Sequence, residues 1–133
     1  MTIVVTGSAG HLGEALMRTL RAADRPALGL DLRPSPFTDR VGSINDRGFV
    51  GESLRGARVV VHCANLHKPH VSTRADEDFL ITNAAGTLVL LETAVDAGAE
   101  PNTRSFSRRI ASASAGPSGS MTNDTSAICA CAN

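Results

Sequence analysis

A chain of 133 residues, 42% of them hydrophobic, has the length for one domain with one core. Its 13 Lys+Arg balance 13 Asp+Glu, so there is no basic field to gather nucleic acid or an anionic membrane. Cys63, Cys129 and Cys131 make no disulfide framework and suit a reduced, cytoplasmic setting, no signal peptide is visible, and no apolar stretch approaches a membrane span.

Residues 2–6, TIVVT, form a β-branched run ending at Gly7, the pattern of a buried parallel strand. From His11 the period becomes helical, with Leu12, Ala15, Leu16 and Leu20 repeating through about Ala23. Pro26 breaks the chain, and Ala27 to Asp31 reads as a second strand ending in an acid. Arg33 to Asp39, with two prolines, is loop; Arg40-Val41 is a short third strand; Asp46 caps a helix through about Arg55, with Phe49, Val50 and Leu54 on its apolar side. Ala57 to Cys63 is the clearest strand. After a loop from Asn65 to Arg74, a helix runs from Ala75 to about Ala97 with Phe79, Leu80, Ala84, Leu88, Leu91 and Val95 as its apolar stripe and Gly98 as its C-cap. Strands alternating with amphipathic helices predict an α/β fold with a doubly wound parallel sheet of about four strands. No fifth apolar strand is legible, because residues 99–133 are rich in Ser, Ala and Asn, the composition of a disordered tail. The domain reading is therefore 1–98 as the folded unit and 99–133 as low-complexity tail.

The chemistry-bearing motif is VTGSAGHLG, in which Gly7, Gly10 and Gly13 make GxxGxxG between a strand and a helix. That spacing gives a tight turn, a backbone that approaches a pyrophosphate without an intervening Cβ, and close packing of helix on strand. The helix N-terminus presents free N–H groups to the anion, which places Ser8, Ala9, His11 and Leu12 beside the phosphates as well. Asp31, at the end of the second strand, stands where a carboxylate takes both ribose hydroxyls of an adenosine. The competing reading is a tight βα turn beside a strand-end acid, without a ligand.

These residues resemble the extended short-chain dehydrogenases, the NAD-dependent epimerase/dehydratase family, and the resemblance runs past the fingerprint. Gly42-Ser43-Ile44-Asn45-Asp46 is similar to the family's turn after the third strand, with Ser43 standing where the family carries an acid and Ile44 keeping the apolar contact to adenine. VVVHCAN, ending the fourth strand, resembles the family's VVHLAA, which implies Ala64 and Asn65 along the ribose edge. Asn83-Ala-Ala-Gly86-Thr87 resembles the family's Asn-x-x-Gly-Thr helix, where the asparagine of relatives helps to hold the catalytic lysine and a proton-relay water. The resemblance implies a Rossmann fold, a dinucleotide partner and a homodimeric parent. Asp31 favours NAD, since a carboxylate repels the extra phosphate of NADP, while Arg33 beside it leaves NADP open.

The departures carry equal weight. The family's chemistry uses a tyrosine that exchanges a proton with substrate and a lysine four residues on, and these 133 residues contain no tyrosine. Lys68 precedes the long helix and does not replace that lysine, so no catalytic residue is assigned and turnover is not expected. Histidines 62, 67 and 70 with Cys63 suggest a metal, but a proline-containing loop supplies no ligand geometry by itself, and no metal residue is assigned. The composition change after Gly98 suggests a lost reading frame, which the genetic code allows: one of the legal back-translations of Arg104 to Arg109, CGT TCG TTC TCA CGT CGA, reads Phe-Val-Leu-Thr-Ser in a shifted frame. The expected product is thus the nucleotide-binding fragment of an oxidoreductase. The alternatives are an enzyme in which another group replaces tyrosine, a non-catalytic nucleotide-sensing module, and a pseudogene product.

Overall fold

The computed structural model describes residues 2–67, 70, 72–97 and 127–130. In chain order the elements are β1 (Thr2–Thr6), α1 (His11–Ala22), β2 (Ala27–Asp31), β3 (Arg40–Val41), α2 (Arg47–Leu54), β4 (Ala57–His62), a long helix α3 (Asp76–Asp96) and β5 (Ala127–Ala130). All strands are parallel, in the order β3-β2-β1-β4-β5. The doubly wound α/β class predicted from the sequence is the one adopted. Its β-branched runs become the central strands because both faces of a parallel sheet are covered. Val4, Leu30, Val50, Leu54, Val60, Leu90 and Ala94 form the core between the sheet and the helices α2 and α3. Asp46 caps α2 as expected, its side chain accepting from the Phe49 amide at 3.0 Å.

The edge of the sheet differs from expectation. Ala127–Ala130 lies beside β4, with Val59 facing Ala127 and His62 facing Ala130, so a fifth strand does exist. An AICA run of four residues is too short for periodicity to separate from its Ser- and Asn-rich surroundings; pairing with β4 is what makes it a strand. Gly98, the segment assigned to a shifted frame and Cys131 lie outside the described residues, and Cys129-Ala130, read as accidental, belong to β5.

The helices bury different faces from those read off the sequence. In α1 the buried positions are Gly13 and Met17, and Leu12 is 50% exposed. In α3 the core residues are Gly86, Leu90, Thr93 and Ala94, whereas Leu80, Leu88, Leu91 and Val95 of the predicted stripe lie on the exposed side. The physical reason is a change of winding: Asp76–Phe79 and Thr87–Asp96 are α-helical, but Leu80–Gly86 is a π-helix, which shifts the phase of every later side chain. An 18-residue stretch of this 21-residue helix has mean hydropathy 1.3, which by length and composition alone would pass for a membrane span, where the sequence reading found no stretch approaching one. In this fold it packs on α2, with Leu90 and Ala94 in the core.

Candidate functional site

The order of strands reverses between β1 and β4, and the crevice at their carboxyl ends is where an open α/β sheet binds ligands. The glycine turn forms its rim. Gly7 has φ +72°, and a Cβ there would fall 2.6 Å from the Ala64 nitrogen. Gly13, one turn into α1, would drive a Cβ into the Gly7 carbonyl, so the helix seats on the turn only as glycine. Gly10 is the N-cap of α1 and its amide donates to the Gly7 carbonyl at 3.0 Å. Glu14 is the first residue of the helix to reach back to Gly10, so the amides of His11, Leu12 and Gly13 have no acceptor within the helix. These three N–H groups, at the positive end of a 12-residue helix, are the anion-binding feature. Ser8 and Ala9 serve the turn from beneath. Ser8 is buried, its amide donating to the Leu30 carbonyl and its hydroxyl pairing with Thr38 at 3.1 Å.

Asp31 closes the adenosine side. Its carboxylate accepts the Ala9 amide at 3.0 Å on one oxygen and the Arg33 amide at 2.9 Å on the other. The Arg33 guanidinium returns to the Ala9 carbonyl at 3.1 Å. Asp31, Arg33 and the glycine turn are therefore one hydrogen-bonded unit, an arrangement that spacing alone does not disclose. The carboxylate is largely sheltered, at 12% side-chain exposure, and keeps lone pairs for further donors such as hydroxyls.

Ser43, predicted at the adenine turn, uses its hydroxyl locally to accept the Asn45 amide at 3.2 Å. Ile44 is 7% exposed, and its side chain fills the space where a Cβ on Gly86 would sit, 2.6 Å from Cδ1. Gly86 thus lets the turn lie against α3.

On the other side of the crevice, Ala64 follows β4 directly under Gly7, and Asn65 is exposed. Asn83, within the π-helical turn, is no loose surface amide: its Oδ1 accepts the Leu66 amide and its Nδ2 donates to the Leu66 carbonyl, both at 2.8 Å. It holds the 64–66 strand end against α3. His62 is buried, with Nδ1 2.6 Å from the Thr6 hydroxyl and Nε2 2.9 Å from the Thr87 hydroxyl. Burial pushes its pKa below the ordinary imidazole value. Both ring nitrogens are engaged, so His62 is a structural bridge here. His67 and His70 meet edge to face at 5.0 Å, and among the described residues no group of three or more His, Cys, Asp or Glu is placed to hold a metal. Thr6 and Thr87 carry no role in the sequence reading beyond their places in the TIVVT run and the Asn83–Thr87 motif. Lys68 lies outside the described residues.

A parallel sheet, a glycine turn feeding a helix N-terminus, and an acid on the next strand define a Rossmann-type nucleotide-binding unit. The profile of the NAD dependent epimerase/dehydratase family matches residues 3–127, and the chain belongs to that family. The match runs beyond the 98 residues over which the motifs are legible. Among solved structures, a short-chain dehydrogenase/reductase superfamily protein from Agrobacterium tumefaciens with bound NAD is 33% identical with a TM-score of 0.65, over 74% of this chain and 30% of that one. The dTDP-glucose 4,6-dehydratase DesIV from Streptomyces venezuelae, solved with NAD and TYD, is 33% identical with a TM-score of 0.63, over 74% and 37%. The UDP-glucose 4-epimerase of Thermus thermophilus in complex with NAD is 25% identical with a TM-score of 0.64, over 74% and 35%. The chain thus spans about a third of the length of these relatives. No curated protein matches it.

Proposed function

We propose that this chain is the NAD-binding part of an epimerase/dehydratase-type oxidoreductase, whose parent moves hydride between the nicotinamide and a hydroxyl or keto group of a sugar nucleotide or similar small molecule. The observation that carries it is the fused unit of glycine turn and Asp31: three free helix amides for the pyrophosphate lie beside a sheltered carboxylate for the ribose. NAD and sugar nucleotides in the names of similar structures support the same reading. Gly7, Gly10, His11, Leu12 and Gly13 bind phosphate through backbone, Asp31 binds ribose, Ile44 flanks adenine, and Ala64, Asn65 and Asn83 shape the nicotinamide side. Arg33, whose side chain is 71% exposed, keeps NADP open as a weaker ligand.

NAD supplies hydride acceptance when bound; what these residues do is bind and orient it. With no tyrosine among the 133 residues, they supply no TyrxxxLys pair for proton transfer, which favours a second reading as a cytoplasmic, non-catalytic nucleotide-sensing module. Calorimetric titration of the purified chain with NAD+ and NADH tests both. Saturable binding that weakens at least about tenfold in Asp31→Asn and is lost in Asp31→Ala is the expected result, on the scale of a lost charge-assisted hydrogen bond. A folded chain that binds neither nucleotide sinks the proposal, and turnover in the binding-competent sample sinks the sensing alternative.

A further inference from the structure

We propose that His62 is a positioning residue of the crevice, carrying its proton on Nε2 so that a one-way hydrogen-bond chain runs from the Cys63 and Ala64 amides through Thr6, His62 and Thr87 to the Asn83 carbonyl. The two ends of the chain specify this direction independently. The Thr6 hydroxyl accepts the amides of Cys63 at 3.2 Å and Ala64 at 3.3 Å, and its one hydrogen is then donated to His62 Nδ1 at 2.6 Å. At the other end, the Thr87 hydroxyl donates to the Asn83 carbonyl at 2.7 Å, so toward His62 it can only accept, at 2.9 Å, from Nε2–H. Both requirements give the same neutral tautomer.

The chain ties three walls together. Thr6 is the last residue of β1 before the glycine turn, Cys63 and Ala64 are the floor under Gly7, and Asn83 is the π-helical residue whose side chain clamps Leu66. A proton on Nδ1 would face a hydroxyl already accepting two amides and would displace its donation. The hydrogen-bond partners of the ring among the described residues, Thr6 from β1 and Thr87 from α3, are uncharged, and burial also disfavours an imidazolium.

Three measurements on the full chain decide it, and only the last rests on the NAD reading. Long-range 1H–15N correlation of the imidazoles, assigned with His62→Gln, is expected to give the Nε2–H form at about pH 7 to 8; an Nδ1–H form, or titration at the ordinary imidazole value, overturns the proposal. Amide exchange at Ala64 and Leu66 is expected to quicken about tenfold or more in Thr87→Val, with the Val5 amide unchanged and protection restored in Thr87→Ser. Equal changes at all three amides would mean a general loss of stability and overturn positioning. NAD+ affinity is expected to fall about tenfold in Thr87→Val and recover in Thr87→Ser; unchanged affinity in a wild type that binds NAD+ overturns the link to the cofactor. A wild type that binds no NAD+ sinks the cofactor reading, while the first two measurements still judge the relay.

Discussion

At Gly7 the backbone enters the left-handed region at φ +72° with the Ala64 nitrogen where a side chain would begin. Gly7→Ala is therefore expected to cost about 2 kcal/mol or more, the sum of left-handed strain and a displaced β4 end, read as a drop in melting temperature. A melt superimposable on the wild type would show that the turn relaxes freely. His62 makes a second prediction. Its folded pKa is lowered by burial while the unfolded value is about 6.5, so below that pH the unfolded chain takes up more protons. Its contribution to stability is whole above about pH 6.5 and declines as pH falls beneath it. Melting temperatures between about pH 7.5 and 5.5 should fall more steeply in wild type than in His62→Gln, and parallel slopes would contradict the assignment.

Among the elements, α3 separates pattern from packing. Its sequence is apolar on more than one side, so a period count cannot choose the buried face, and the π-helical turn at Leu80–Gly86 resets the phase. Leu90 is 1% exposed and Leu88 is 55% exposed. Leu90→Ala is expected to destabilise by about 2–5 kcal/mol, the range of a core truncation, and Leu88→Ala by less than about 0.5 kcal/mol. Denaturant melts of the pair decide which face belongs to the core, and a reversed order would refute the packing described. The helix α2 behaves as its sequence reads, because Asp46, Val50 and Leu54 signal a cap and one apolar side without ambiguity.

For the whole molecule, the exposed apolar side chains of α3 bear on self-association. Leu80 is 69% exposed, Ile81 51% and Leu88 55%, an apolar stripe on a chain of zero formal charge. Such a surface is expected to favour self-association, which a net charge of zero does not oppose. Leu80→Glu with Leu88→Glu is expected to shift the chain toward monomer in size-exclusion chromatography with light scattering, without lowering its melting temperature. An association state indifferent to both charges would place the driving surface elsewhere. The sheet edge, by contrast, is less open than the composition after Gly98 suggests, since Ala127–Ala130 pairs with β4.

Local chemistry determined much of this protein in advance. The strand runs, the GxxGxxG turn, Asp31 and the Asp46 cap are legible because steric freedom, period and capping act over a few residues. The tertiary structure alone decided the rest: the tie of Ala9 and Arg33 to Asp31, the grip of Asn83 on Leu66, the Thr6–His62–Thr87 bridge, the buried face of α3 and the fifth strand. Each joins groups distant in the chain or depends on which of two apolar faces meets the sheet. A buried polar group takes whichever partner the fold brings within hydrogen-bond reach, and sequence order carries no record of that distance.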